Sequence, residues 1–184
     1  MQSDNADRGF SFRMDAPLDM RKSQAGVSAT DLIREQSENE LAQILREYGD
    51  VKKAGVIARA IKESQPKTTF ALRDLIFNPN DVAPVFQALR IAVNNELGEI
   101  ESALDYVHSA LKTGGRCLCV TFHSIEDRLV KSIFRQWTSV AGDPRMPNIL
   151  SAEYKKLTTI IPNDDELERN PRERSAHLRA VEKV

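Results

Sequence analysis

The sequence predicts the C-terminal half of an α/β domain that carries an all-helical insert. Three observations lead there. Apolar residues recur three or four apart from Phe86 to Leu111, and a Gly114-Gly115 turn then leads into the apolar, β-branched run "RCLCVTF". That order is a helix feeding a buried strand, the second half of a crossover unit. Residues 28–78, by contrast, read as consecutive helices with no strand among them. Finally, the strand-like segments 116–122, 157–161 and 177–184 make only a thin sheet. A buried strand needs neighbours, so partner strands are expected to precede residue 1.

The bulk numbers set the class. At 184 residues, 41% hydrophobic and 29% charged, the chain suits one globular domain with an insertion. Lys+Arg is 26 against 27 for Asp+Glu, so any nucleic-acid contact must come from local patches rather than a global field. No apolar stretch approaches a membrane span, and "MQSDNADRGF" has no hydrophobic signal core. The expected location is the cytoplasm, or the mitochondrion for a eukaryotic source. Cys117 and Cys119 share one face of a strand and are expected as reduced, buried thiols, because a lone C-x-C pair is a poor zinc site.

The elements follow in order. Residues 1–27 read as a loop dense in Asp, Arg, Gly and Pro, with Phe10 and Phe12 interspersed. Ser28 with Asp31, and Ser37 with Glu40, form capping boxes. Leu41, Ile44, Leu45 and Tyr48 make one apolar helix face, and Gly49 is placed to end that helix in a left-handed turn. A helix over about 51–64 turns Ala54, Ile57, Ala58 and Ile61 inward and Lys52, Lys53, Arg59 and Lys62 outward. Pro66 ends it, and Thr68 or Thr69 caps a short helix with Leu72, Leu75 and Ile76. "NPNDVAP" reads as a loop, and one long helix of roughly seven turns is expected from Pro84 to Leu111. After the strand comes a helix from Ile125 to Trp137, an irregular stretch 139–156, the strand "LTTII", a short helix begun by Pro162, and the last strand "AHLRAVEKV".

Candidate chemistry concentrates in two places. "TFHSIEDRLVK" sets Thr121, His123 and Ser124 at the C-terminal end of a strand, where open α/β sheets bind ligands. Ser124 fits a helix N-cap with Asp127 as its box partner, His123 is the functional candidate, and Arg128 suits a surface pair or a phosphate. "DRGFSFRMDAPLDMR", residues 7–21, mixes three arginines, two phenylalanines and three aspartates. Aromatics beside arginines suit stacking on an unpaired base and gripping phosphate; the alternative is a packed loop whose Phe side chains plug a core and whose Arg–Asp pairs tie it down. The outer cations Lys52, Lys53, Arg59 and Lys62, and the segment "NPRERS", are weaker phosphate candidates. There is no G-x-G-x-x-G or P-loop, no metal-ligand spacing and no Ser-His-Asp set.

Four blocks, "DRGFSFRMDAPLDMR", "FQALRIAVNNELGEIESAL", "GGRCLCVTFHSIEDRLVK" and "NPRERSAHLRAVEKV", resemble, in order, the bacterial small-subunit ribosomal RNA cytosine-N4 methyltransferases, the MraW or RsmH methyltransferases. The resemblance covers most of the chain. It implies the C-terminal half of a class I (Rossmann-like) methyltransferase with an inserted helical substrate-recognition domain. The implied domains are an active-site loop at 1–27, the insert at 28–80 and the C-terminal part of the core at 81–184. The implied reaction methylates a cytidine N4 amine in small-subunit ribosomal RNA, with S-adenosyl-L-methionine as cofactor, the small ribosomal subunit as partner, no metal and no membrane. It implies a pocket among the 7–21 loop, the insert and the "TFHS" strand end. There His123, Asp15 and Asp19 are the catalytic candidates, Gln2 a cofactor contact, and Arg8, Phe10, Phe12, Arg13, Arg21, Ser124 and Arg128 substrate contacts. The family's Gly-rich loop, acidic ribose anchor and D-L-G-V-S-S segment have no counterpart here, and Met1-Gln2-Ser3-Asp4 matches only the tail of the last. Ala83-Pro84-Val85 and Lys22-Ser23 also depart from the family pattern. The resemblance therefore implies a truncated member, inactive alone, and the alternative is a non-catalytic RNA-binding remnant using the helical insert.

Overall fold

A computed structural model describes residues 8–23, 25–139 and 152–184. Gln2 and most of the stretch expected to be irregular fall outside them. The described chain is α/β, with helices and one small sheet, and it divides into two compact units, one ending at Glu96 and the other spanning Leu97–Val184.

The first unit is helical. Helices α1 (Ala29–Glu35) and α2 (Glu38–Gly49) start at the expected capping boxes, with Ser28 and Ser37 each accepting from the N–H three residues on. Helix α3 (Ala54–Ser64) buries Ala54, Ile57, Ala58 and Ile61, as its spacing requires. Thr68 caps α4 (Thr69–Asp74). Leu41, Leu45, Ile61, Leu72, Val85 and Leu89 are fully buried in one core, each contributing about 1.5–3 kcal/mol by leaving water.

Three local expectations are corrected. Asp50, not Gly49, takes the left-handed conformation after α2, at φ +52°. Gly49 is required for a different reason: a Cβ there would lie 2.7 Å from the Pro84 carbonyl oxygen, so glycine lets α2 approach α5 closely. "NPNDVAP" is not a loop. It begins α5 (Pro79–Asn94), with Asn78 as N-cap and Pro79 in the first turn, where a missing N–H is harmless. Nor is there one long helix: Asn95 turns left-handed at φ +47° and separates α5 from α6 (Glu96–Ala110). Asparagine tolerates that conformation better than most residues, and apolar spacing does not register a single such break.

In the second unit the Gly114-Gly115 turn leads to strand β1 (Arg116–Thr121), followed by α7 (Ser124–Thr138), β2 (Tyr154–Ile160), α8 (Asp164–Arg169), a 3-10 turn at Pro171–Ser175 and β3 (His177–Lys183). β2 starts earlier than the run "LTTII" suggested, because Tyr154, Lys155 and Lys156 already pair with Lys183, Glu182 and Val181 of β3, and the buried Tyr154 donates its hydroxyl to the His108 carbonyl. The sheet order is β1-β3-β2, with β3 antiparallel to both neighbours. One sheet face is apolar and covered: Cys117, Val181 and Tyr154 pack with Leu104 of α6 and Val130 and Phe134 of α7. Cys117 is buried as expected, and Cys119 is half-buried. The opposite face carries Leu118, Val120 and Ile160, with Phe122 just beyond β1, all more than half exposed. These side chains form an exposed apolar patch, and the Arg116–Glu182–Lys155 ion cluster occupies the end of the same face.

Candidate functional site

The 8–21 loop is fastened to the first unit residue by residue. Gly9 sits at φ +68°, and a Cβ there would lie 2.2 Å from the Pro17 carbonyl oxygen, so no other residue fits. The Arg8 carbonyl accepts from Met20 N–H at 2.8 Å, closing the loop on itself. Buried Thr69 accepts from Ala16 N–H and donates to the Met14 carbonyl, while Leu18 N–H donates to the Lys67 carbonyl.

Within that frame the candidate side chains divide. Asp19 braces Arg21 through two parallel bonds of 2.7 and 2.8 Å, and the guanidinium holds the Asp19 carboxyl below its usual range. Arg21 also donates to the Gly26 carbonyl, and Arg8 donates to that of Lys22. Asp15 is exposed and accepts from Phe70 N–H at the start of α4. Bonds from the Thr68 hydroxyl and the Phe70 N–H lower its pKa. Phe12 meets Phe86 edge-to-face at 5.6 Å, and Phe10 is half-buried on the same core. Arg13 is exposed, and its side chain has no bonded partner among the described residues.

In the second unit His123, not Ser124, is the N-cap of α7: its Nδ1 accepts from Glu126 N–H at 3.3 Å. Ser124 is the first helical residue and is exposed. His123 Nε2 is buried and lies 3.2 Å from Glu126 Oε1, yet makes no aligned hydrogen bond among the described residues. Arg128 is exposed one turn on. Asp127 is not a capping partner. Arg179 of β3 grips it through bonds of 2.7 and 2.8 Å, and Thr121 adds a 3.3 Å contact. The guanidinium pulls the Asp127 carboxyl down and is itself pushed up. A carboxylate one turn into α7 is thereby tied to β3, which fixes the helix start where His123 sits.

Sequence reading missed three fasteners. Asn94 accepts from Lys22 N–H at 2.7 Å and donates to the Met20 and Arg90 carbonyls, each at 2.8 Å. Its signal was an Asn-Asn pair inside a helical pattern, where asparagine is normally disfavoured. Glu96 is buried and receives Lys22 at 2.8 Å and Arg90 at 3.1 Å, and nothing in its spacing announced that. Lys62, expected on a wet basic face, donates to the Ile33, Arg34 and Gln36 carbonyls and so caps the C-terminus of α1. Arg59 pairs with Glu38, so that face is less available to phosphate than its composition suggested.

A profile of the MraW methylase family matches residues 1–184. Among curated proteins, the chain is 43% identical over 201 residues to the "Ribosomal RNA small subunit methyltransferase H" of Afipia carboxidovorans, covering 100% of this chain and 60% of that protein. The protein of the same name from Rhizobium meliloti is 44% identical over 198 residues, covering 98% and 58%. That from Methylobacterium nodulans is 42% identical over 204 residues, covering 100% and 60%. The chain thus spans about 60% of the length of the curated relatives it matches. The match over residues 1–184 and the 42–44% identity to these relatives lead to one conclusion: the chain belongs to the MraW methylase family.

Proposed function

We propose that the protein to which these residues belong transfers a methyl group from S-adenosyl-L-methionine to the N4 amine of a cytidine in small-subunit ribosomal RNA. The observation that carries this reading is the family match along the whole chain, together with more than 40% identity to proteins named as ribosomal RNA small subunit methyltransferases. S-adenosyl-L-methionine supplies an electrophilic methyl, and the amine attacks it in line. Among the described residues the adjacent glycine pair, Gly114-Gly115, leads into strand β1 and not into a helix N-terminus, so it does not form a cofactor cradle of that kind.

What these residues do is hold the nucleotide. The amine lone pair is delocalised into the ring, so acceptors must hold its hydrogens and orient it. Asp15 remains exposed and ionised, with acceptor capacity beyond its bond to Phe70 N–H. Asp19 positions Arg21 for a phosphate. Arg8, Arg13 and Arg128 are further phosphate contacts, and Phe10 and Phe12 offer ring faces at the loop. Ser124 is an exposed hydroxyl at the same helix start as His123, whose imidazole, with Nε2 3.2 Å from Glu126 Oε1, is the candidate there for a bond to base or sugar. The base must leave its stack to meet such groups.

The sheet supports the wider fold reading. Its face bearing Leu118, Val120 and Ile160 suits continuation into a larger class I core, with 1–27 as active-site loop, 28–80 as insert and 81–184 as core. The test is a chimera of this chain with the part of the Afipia protein outside their match. Incubated with small subunits and labelled cofactor, it should yield N4-methylcytidine on nucleoside mass spectrometry. A folded, cofactor-binding chimera that methylates no cytidine, or methylates a ring carbon, would overturn the proposal.

A further inference from the structure

We propose that the hollow between α7 and strands β2 and β3 is a phosphate-binding subsite that grips the sugar-phosphate backbone of RNA, apart from the base-holding residues above. The hollow measures about 160 Å³; Phe134 of α7 and Ala180 of β3 contribute apolar lining, and Lys131, Arg135 and Thr138 of α7 with Lys156 and Thr159 of β2 line the rest beside Arg179. Nucleoside- and drug-sized ligands take about 300–1,000 Å³, so this space suits a phosphate-sized group. Three of its cations, Lys131, Arg135 and Lys156, have no carboxylate or other bonded partner among the described residues. The fourth, Arg179, is saturated by Asp127 and also reaches Thr159 Oγ1 at 3.5 Å. Thr159 accepts there, which leaves its own hydroxyl proton free to donate to an anion.

Two features bring these exposed side chains to one place. Lys131 and Arg135 stand four apart on one face of α7, a spacing at which like charges destabilise a helix unless an anion lies between them. In β2 the register slips between Lys156, opposite Val181, and Thr159, opposite Arg179. This bulge sets two residues three apart on the same sheet face, where regular alternation would oppose them. The chain's net charge is only -1, so no global basicity accounts for the cluster. Lys131 and Arg135 lie about 12 and 18 Å along the helix from His123, far enough to hold a nucleotide other than the one being modified.

The choice of RNA rests on the methyltransferase reading, and two measurements keep the claims separable. The first follows thermal unfolding of the 184-residue chain in inorganic phosphate against chloride at matched ionic strength. Phosphate should raise the wild-type Tm and leave K131Q/R135Q/K156Q unmoved, while the charge-keeping K131R/K156R retains the response. An equal response in wild type and the glutamine variant, or none in the wild type, overturns the subsite. The second measures binding of labelled single-stranded RNA of small-subunit sequence against salt. The log–log slope should fall by about 0.7 for each phosphate-neutralising cation removed, roughly 2 for the triple variant. An unchanged slope in a chain that binds RNA and still responds to phosphate overturns the RNA assignment and leaves a free-phosphate site. A wild type that responds to phosphate but binds no RNA overturns the RNA assignment together with the methyltransferase reading.

Discussion

Replacing Asp127 with alanine should loosen the start of α7 by a calculable amount. Asp127 and Arg179 are largely buried, with side chains 16% and 14% exposed, and they meet through two short, parallel bonds. Exposed pairs contribute about 0–1 kcal/mol. Breaking a fully buried pair costs about 3–5 kcal/mol, because the surviving charge is stranded. At this burial the loss should be about 2–3 kcal/mol, or roughly 5–10 °C in Tm for a chain of this size. Urea unfolding of D127A, R179A and the double variant would isolate a coupling of about 2 kcal/mol. The pH dependence has a definite sign. Arg179 holds the Asp127 carboxyl below its ordinary 3.8, so the pair's contribution is complete above that pH and is lost as pH falls through the lower folded value. Wild type and D127A should therefore converge in stability at strongly acid pH. A coupling under about 0.5 kcal/mol, or a gap unchanged down to acid, would show that the pair does not seat the helix.

Other perturbations reach different parts of the account. Gly9→Ala must adopt φ +68° and meet the Pro17 carbonyl oxygen, so circular dichroism should show a loss above about 3 kcal/mol; near-wild-type stability would mean the loop is not held as described. Lys62→Met removes the cation from the C-terminus of α1 and should cost about 1.5–3 kcal/mol in urea unfolding; no change would return Lys62 to the solvated face. Burial pushes both the Cys117 and Cys119 thiols up. Iodoacetamide at neutral pH should then alkylate them far more slowly in the folded chain than in urea, and equal rates would contradict a packed β1.

What the sequence made legible was local. Ser28, Ser37 and Thr68 cap the helices they appear to cap, because a hydroxyl three residues before an N–H acts without tertiary help. The apolar runs placed β1 and α7 for the same reason. What escaped reading was long-range or singular. The Arg179–Asp127 pair joins residues 52 apart, and the Lys62 cap reaches back 26 to 29 positions, so no spacing rule sees either. The Asn95 break hides because Val93 and Leu97 keep helical spacing across it. His123 displaced Ser124 as cap because an imidazole nitrogen accepts as a hydroxyl does, one residue earlier. The family blocks carried the site reading, and the candidate loop residues proved to be partly braces: Asp19 for Arg21, Phe12 against Phe86.

We propose that these residues hold the nucleotide and that the cofactor is held by the rest of the longer relatives' length. Calorimetric titration of S-adenosyl-L-methionine into the 184-residue chain tests it most directly. The account predicts no saturable heat, an affinity weaker than about 1 mM, with binding appearing only in the chimera. One-to-one binding in the micromolar range by this chain alone would contradict it.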